Sequence, residues 1–490
     1  MLAGSLVARE NQVVAIGMTR RELGRATVAG LALAGFGGAI GISGCGSDDS
    51  SGVAGEGPAG LDLDQRQEVI DRLAEMRVPK PVDFIRTDWS HDPLAFCSYS
   101  YLAPTRYGSE IRRMLAEPVG RIAFAGEATA KIPATVHGAI QAGRDAAKYA
   151  AGQLAPGARV AVVGAGAAGL SCAGELARQG LEPVLLEASD RVGGRVREAD
   201  LDGSPVELGA SWIHGVDGNP LTGLAGEAGI GLHPFSYQLD FPVPGQKPLG
   251  VSGEHRYWQA VNSFGPGSAR YPDLPLEAIL PRRRGPGLEW AIQNEVAQEY
   301  GADPDQLAAL ATWEGNWLGG GDVLLDGSYS KVVARLSGDA EVRFGFKVRK
   351  VSQRRGEVRI AGGVDADREE VAAEAVVITV PIGALKAGAI EFDPRLPAGS
   401  RTAISQLGAG LLDKVWLAFD QPFWPEGAEG FSWIDPRKPG RWGSWVNAVP
   451  VTGKPFLMTL AGGHDAHRLA GRSDLEVVGS AMAALEAMFG

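Results

Sequence analysis

Apolar residues follow two distinct patterns along this chain. In the first they run without interruption: Val160-Ala161-Val162-Val163, entered from Arg159, and Pro183-Val184-Leu185-Leu186 have no polar residue interleaved. That pattern predicts strands buried on both faces, the habit of a parallel sheet. Between them, residues 170–179 space their apolar positions as a helix does. In the second pattern apolar and polar positions alternate. Leu412-Asp413-Lys414-Val415-Trp416-Leu417-Ala418-Phe419 reads as a strand on which Lys414 shares a face with Trp416 and Ala418. A lysine on a core-facing strand position needs explanation; the alternative is an edge strand with the lysine in solvent. Strands alternating with helices around a glycine turn predict an α/β fold with a doubly wound, Rossmann-like core.

The turn after the first strand is Gly164-Ala165-Gly166-Ala167-Ala168-Gly169. Gly164 allows the sharp turn, Gly166 lets a pyrophosphate approach the backbone, and Gly169 lets the helix pack on the strand, with Ala168 inside the same turn. The helix N-terminus then faces the phosphates. Glu187 ends the second strand, where a carboxylate accepts hydrogen bonds from adenosine ribose hydroxyls and repels a 2′-phosphate, so NADP is disfavoured.

Composition narrows the field. The chain has 490 residues, 45% hydrophobic and 21% charged, which is ordinary globular protein. A formal net charge of -11 argues against nucleic acid or anionic lipid as partners. Cys45, Cys97 and Cys172 make no disulfide framework and no zinc cluster, so no metal is expected. Arg20 and Arg21 precede a mild, Gly-rich apolar run over residues 26–42 that ends at Ile42-Ser43-Gly44-Cys45. This looks like a twin-arginine lipoprotein signal over residues 1–45 with acylation at Cys45, opening at Met18 or Met1, followed by a solvated tether over residues 46–61. Export to the outer face of the bacterial cytoplasmic membrane follows, with no membrane contact except this anchor. An uncleaved membrane-spanning anchor is the alternative.

Further motifs carry a family resemblance. Asp190-Arg191-Val192-Gly193-Gly194-Arg195 resembles the second signature of the flavin-dependent amine oxidase family, and Glu207-Leu208-Gly209-Ala210-Ser211-Trp212-Ile213-His214-Gly215 looks like its polyamine oxidase branch. Asp326-Gly327-Ser328-Tyr329 and a helix over residues 331–336 match the segment returning to the flavin domain. Residues 346–351 and 358–360 read as a β-meander, with Ala375-Val376-Val377-Ile378-Thr379-Val380-Pro381 as its closing strand. Phe124-Ala125-Gly126-Glu127-Ala128-Thr129 and Ala134-Thr135-Val136-His137-Gly138-Ala139 resemble the clamp that ends the family, followed by a helix over residues 137–149. Here the clamp precedes the glycine turn. The reversed order suggests a circular permutation, with the old termini joined over residues 153–158; the alternative is a misassembled gene. The resemblance implies an α+β substrate domain beside the flavin domain, divided as residues 62–96 substrate domain, 97–150 and 157–235 flavin domain, 236–321 substrate domain, 322–392 flavin domain and 393–490 substrate domain.

The resemblance implies FAD, held by Gly164, Gly166, Ala168, Gly169, Glu187, Gly193, Gly194, Arg195, Gly209, Ala210, Ser211, Trp212, Val348, Gly126, Glu127, Ala134 and Val136. It implies that Lys414 holds a water at the flavin and that Tyr99, or else Tyr101, sets an aromatic ring beside it. Thr135 stands where monoamine oxidases have a second aromatic, leaving the cage half open. His214 lies near the amine or is a core histidine, and His137 is structural. Cys97 either attaches the flavin covalently or does not. The implied reaction is oxidation of a small amine to an imine, with molecular oxygen as acceptor. An L-amino-acid oxidase using Arg256 or one of Arg282, Arg283 and Arg284, and a non-catalytic flavin- or amine-binding lipoprotein, stand as alternatives. Glu289, Glu295 and Glu314 are either receivers of a distal ammonium or surface acids on helices.

Overall fold

A computed structural model describes residues 61–237, 239, 252–265, 270–315, 317–363, 369–425 and 427–490. The signal expected over residues 1–45, Cys45 itself and all of the tether except Leu61 lie outside the described residues.

The continuous apolar runs become the centre of a five-stranded parallel sheet. Its order is Glu341–Arg343, Glu182–Leu186, Arg159–Val163, Ala375–Ile378, Ile122–Phe124. Helix Ala167–Arg178 follows the glycine turn, and Gly169 fits against the strand end because a Cβ there would lie 1.9 Å from the Gly164 carbonyl oxygen. Helix Val136–Ala151 lies against that helix equally closely. A Cβ on Gly143 would stand 2.1 Å from the Ala168 carbonyl, and Ser171 Oγ donates to the Ile140 carbonyl at 2.9 Å. The joint at residues 153–158 is a short loop anchored by Gly157 N–H on the Gly180 carbonyl and by Glu182 N–H on the Ala158 carbonyl.

One expectation is corrected. Ala375–Ile378 does not close the meander; it inserts between Arg159–Val163 and Ile122–Phe124 in the parallel sheet. Its four residues are all buried, as a central parallel strand requires, whereas Glu357–Gly362 buries alternate residues. The meander consists of Lys350–Arg354, Glu357–Gly362 and Glu369–Ala373, with Glu391–Asp393 added in parallel at its edge. Residues 346–349 precede it outside any strand.

The other large sheet is antiparallel, in the order Asp83–Arg86, Leu412–Ala418, Phe456–Gly462, Ser444–Asn447, Gly430–Ser432. Helix Asp474–Phe489 covers one face of it, with Val477, Val478, Ala481, Met482 and Leu485 in the same apolar cluster as Val415, Leu417 and Leu457. Residues before the dinucleotide turn thus supply an edge strand to each sheet. The Arg77 guanidinium and the N–H groups of Arg77 and Val78 hold the Glu486 carboxylate near the end of that helix.

Candidate active site

An open cleft, about 1080 Å³ with the solvent at its mouth included, runs along the carboxyl ends of the parallel strands, where open α/β sheets bind ligands. Gly164, Gly166 and Ala168 line it from the glycine turn, and Glu187, Gly193, Gly194 and Arg195 from the second strand and the loop after it. Phe346 and Val348 line it ahead of the meander, and Gly126, Glu127, Thr135 and Val136 from the clamp. Two helix N-termini therefore converge on one cavity. Gly166 caps helix Ala167–Arg178 without a side-chain bond, leaving the first N–H groups free for an anion, while the Thr135 hydroxyl caps Val136–Ala151 by accepting from Gly138 N–H at 3.0 Å. Gly164, Gly193 and Gly126 have φ of 100°, 107° and 136°, open only to glycine, so the backbone stands bare at the wall. These features fit a flavin dinucleotide, whose pyrophosphate an uncapped helix N-terminus would suit.

Glu187 is buried at the wall, where its carboxylate accepts from Ala165 N–H at 2.7 Å and from the Ser189 N–H and hydroxyl, each at 2.8 Å. Glu127 also borders the cavity, and Arg195, Ser100 and Ala134 N–H all bond its carboxylate. Gly169 and Ala134 are not among the lining residues; Gly169 gives the close packing described above.

Gly209, Ala210, Ser211 and Trp212 do not line this cavity. Gly209, Ser211 and Trp212 stand at Lys414, and Ala210 N–H donates to the carbonyl of Arg195, itself a lining residue, at 3.4 Å. Lys414 is 1% exposed, and its ammonium nitrogen contacts the Gly209 carbonyl, lies 2.5 Å from Ser211 Oγ and 3.2 Å from the Glu207 carbonyl, and is 5.9 Å from the Trp212 ring centre. Burial, with Glu198 opposite it in the hairpin, holds the Glu207 carboxyl well above the ordinary range. The alternation predicted for the strand is real in direction, but all seven of its residues are buried because the helix and the Gly209 turn cover opposite faces.

His214 is buried, and its Nδ1 lies 2.9 Å from Asp322 Oδ2, which also accepts the Tyr237 hydroxyl at 2.6 Å. Gly215 N–H donates to the other oxygen at 2.8 Å. Burial pushes the Asp322 carboxyl up, but the charge of His214 and the donors from His214, Tyr237 and Gly215 outweigh it and leave the carboxyl below its usual range. Trp317 meets the His214 ring edge to face at 6.3 Å. His137 is buried in the first turn of its helix; burial, and then the charge of His214, push it down to about 4, so it stays neutral.

Tyr99 is fully buried and donates from its hydroxyl to the Gln298 carbonyl at 3.0 Å. It packs in one cluster with Trp212, Leu411 and Tyr237, away from the described cavity, while Tyr101 is half-buried opposite Gly408. Cys97 is buried beneath Gly383, and burial pushes its thiol up to about 11. Glu314 is not a surface acid: Arg112 pairs it at 2.7 Å, with 9% of its side chain exposed. Glu295 is buried in a π-helical turn, Gln293–Gln298. Arg256 bonds the Arg283 carbonyl and Arg284 bonds Glu277; neither they nor Arg282 line the cavity.

Sequence reasoning missed Ser100, Arg112, Asp322, Tyr237 and Thr379. Thr379 Oγ1 donates to the Val163 and Gly164 carbonyls and lines the cavity at the strand end. An acid opening the apolar strand Asp322–Leu325 was a visible signal; Arg112 and Ser100 gave none.

Comparison with known proteins shows the family and the fold. The profile described as "Flavin containing amine oxidoreductase" matches residues 60–151, 167–300 and 294–490. "Polyamine oxidase 4" of Oryza sativa subsp. japonica is 31% identical over 373 residues, covering 69% of this chain and 74% of that protein. Among solved structures, cyclohexylamine oxidase from Brevibacterium oxydans IH-35A superposes with a TM-score of 0.54 at 21% identity, covering 68% of this chain and 82% of that one. Putrescine oxidase bound to putrescine gives 0.52 at 19% identity, with the same coverage of both chains.

Proposed function

The chain belongs to the flavin-containing amine oxidoreductase family and is an FAD-dependent amine oxidase, and from that premise we propose that it oxidises a small aliphatic polyamine or monoamine at a C–N bond. In the balanced reaction R–CH2–NH2, O2 and H2O become R–CHO, NH3 and H2O2, through an imine that water hydrolyses. When bound, FAD accepts the hydride at flavin N5 and returns both electrons to oxygen.

The chain's own residues supply the rest of the proposal. Hydride departure requires an uncharged nitrogen, which an apolar setting favours by penalising the ammonium form. Lys414 relays the proton, with Ser211 Oγ 2.5 Å from its nitrogen. His214, with the Asp322 carboxylate fixing its Nδ1, orients the amine. The observation that carries the reading is the buried Lys414 amine against Gly209 and Ser211, since a lysine so enclosed has no packing purpose that an apolar residue would not serve better. Similarity to a polyamine oxidase supports placing polyamines first.

Peroxide release from spermidine, putrescine, aromatic monoamines and L-amino acids tests this reading. Turnover of a polyamine or monoamine is expected. Turnover of L-amino acids alone transfers the reading to an amino acid oxidase; no peroxide from any of them, with FAD bound, favours a non-catalytic binding protein.

The segment order is read as a circular permutation, supported by the edge strands that residues before the glycine turn supply to both sheets and by the Arg77–Glu486 contact. Deleting residues 62–150 is expected to abolish FAD binding; retained flavin overturns the reading. Export with lipid attachment at Cys45 belongs to the same proposal, and intact mass of the membrane-bound protein is expected to give an acylated N-terminus there.

A further inference from the structure

Glu127 borders the cavity, yet its carboxylate is one link in a buried row of charges. Arg195 Nη1 and Nη2 donate to Glu127 Oε1 at 3.2 Å, and the Ser100 hydroxyl donates to Oε2 at 2.6 Å. Ser100 Oγ in turn accepts from Arg112 Nη1 at 2.7 Å, and the same Nη1 donates to the Ala128 carbonyl at 3.1 Å. Arg112 Nε and Nη2 grip Glu314 at 2.7 and 3.0 Å. The row runs Arg195, Glu127, Ser100, Arg112, Glu314, with cations and anions alternating; of these, only Arg195 and Glu127 line the described cavity.

The chemistry of the central residue explains the arrangement. A guanidinium offers five N–H donors in one rigid plane, and here one edge serves the clamp through Ser100 and Ala128 while the other takes both oxygens of Glu314. With 5% of the Arg112 side chain and 9% of the Glu314 side chain exposed, neither charge is tolerable without the other. Glu314 also marks where the substrate domain meets the clamp. Next to it, the Gly315 Cα side faces the Lys131 carbonyl and Ile132, on the loop leading to Thr135, and Trp317 packs on His214.

We propose that Arg112 and Glu314 are positioning residues for the flavin clamp: they hold Ser100, and through it Glu127, in the setting where Gly126, Glu127, Thr135 and Val136 meet FAD. They tie that setting to the segment that carries Trp317 onto His214. The inference rests on the FAD-oxidase reading, but its readout is flavin affinity rather than turnover.

The test is titration of apoprotein with FAD, followed by flavin fluorescence, together with the thermal midpoint of each apoprotein. Arg112→Met is expected to weaken FAD binding at least about tenfold. Arg112→Lys keeps the charge but cannot span both partners, so it restores little. Glu314→Gln, nearly the same shape without the charge, is expected to weaken binding about threefold. A lowered apoprotein midpoint with FAD affinity within twofold of wild type in the folded variants overturns the proposal. If Arg112→Met does not fold, Glu314→Gln decides by the same twofold limit. Wild-type protein that binds FAD but releases no peroxide counts against the oxidase reading alone and leaves this titration decisive.

Discussion

Asp413, next to Lys414, offers the sharpest quantitative test of this core. On a strand its side chain points opposite to that of Lys414, into a small cavity shared with Arg86, Asp88 and Trp442. Its Oδ1 accepts the Thr87 hydroxyl at 2.9 Å and Trp89 N–H at 3.0 Å. Burial, and then the charge of Asp88, raise its carboxyl from an ordinary 3.8 to about 7. The folded state therefore binds the proton more tightly than the unfolded chain, and stability falls as pH rises from about 4 to about 7, then levels off. A gap of about three units at 1.36 kcal/mol each makes the total loss about 4 kcal/mol. Asp413→Asn keeps the acceptor for Thr87 and Trp89 and never ionises. Its stability advantage over wild type, measured by urea unfolding at saturating FAD, is expected to widen by about 3 kcal/mol between pH 5 and pH 8. Peroxide release is expected to stay within twofold. A gap that is the same at both pH values would refute the claim that this carboxyl is buried against its charge.

Other consequences are as direct. Lys414→Met preserves length without the amine, and stopped-flow flavin reduction is expected to slow at least about tenfold with FAD retained; an unchanged rate refutes the relay. Because the Cys97 thiol is buried and pushed up to about 11, acid precipitation is expected to leave the flavin in the supernatant; a yellow pellet would show covalent attachment. Gly143→Val puts a side chain where the Ala168 carbonyl stands 2.1 Å from the Cβ position, and the cost is expected to be about 1–3 kcal/mol or more, read as a lower thermal midpoint and weaker FAD retention. A midpoint equal to wild type would mean that helix Val136–Ala151 does not pack on the dinucleotide helix.

Much of the cofactor half was legible because its signals are local. A buried strand, a glycine turn, a helix and an acid in succession need no distant partner to be recognised, and Gly164, Gly166, Ala168 and Glu187 stand together at the cavity as their spacing implied. The motifs of the clamp carried equal weight, and Gly126, Glu127, Thr135 and Val136 meet the same wall. The Gly209–Trp212 turn was harder to place. Its motif identified a family position, but only folding puts its carbonyl and hydroxyl on Lys414 rather than on the main cavity.

By itself, then, the sequence determined the fold class, the glycine turn, the likeness to a flavin family and a lysine on the inward face of its strand. Each is written in residues close along the chain, where period and turn geometry are settled by short-range sterics. Tertiary structure decided which elements meet. It moved Ala375–Ile378 from the meander into the parallel sheet, set Asp322 behind His214, and joined Ser100, Arg112 and Glu314 into one row with the clamp. Those choices depend on satisfying buried charges and ladder hydrogen bonds between distant segments, and of the two adjacent arginines on the short helix Glu110–Ala116 neither carries a mark of the carboxylate it will find.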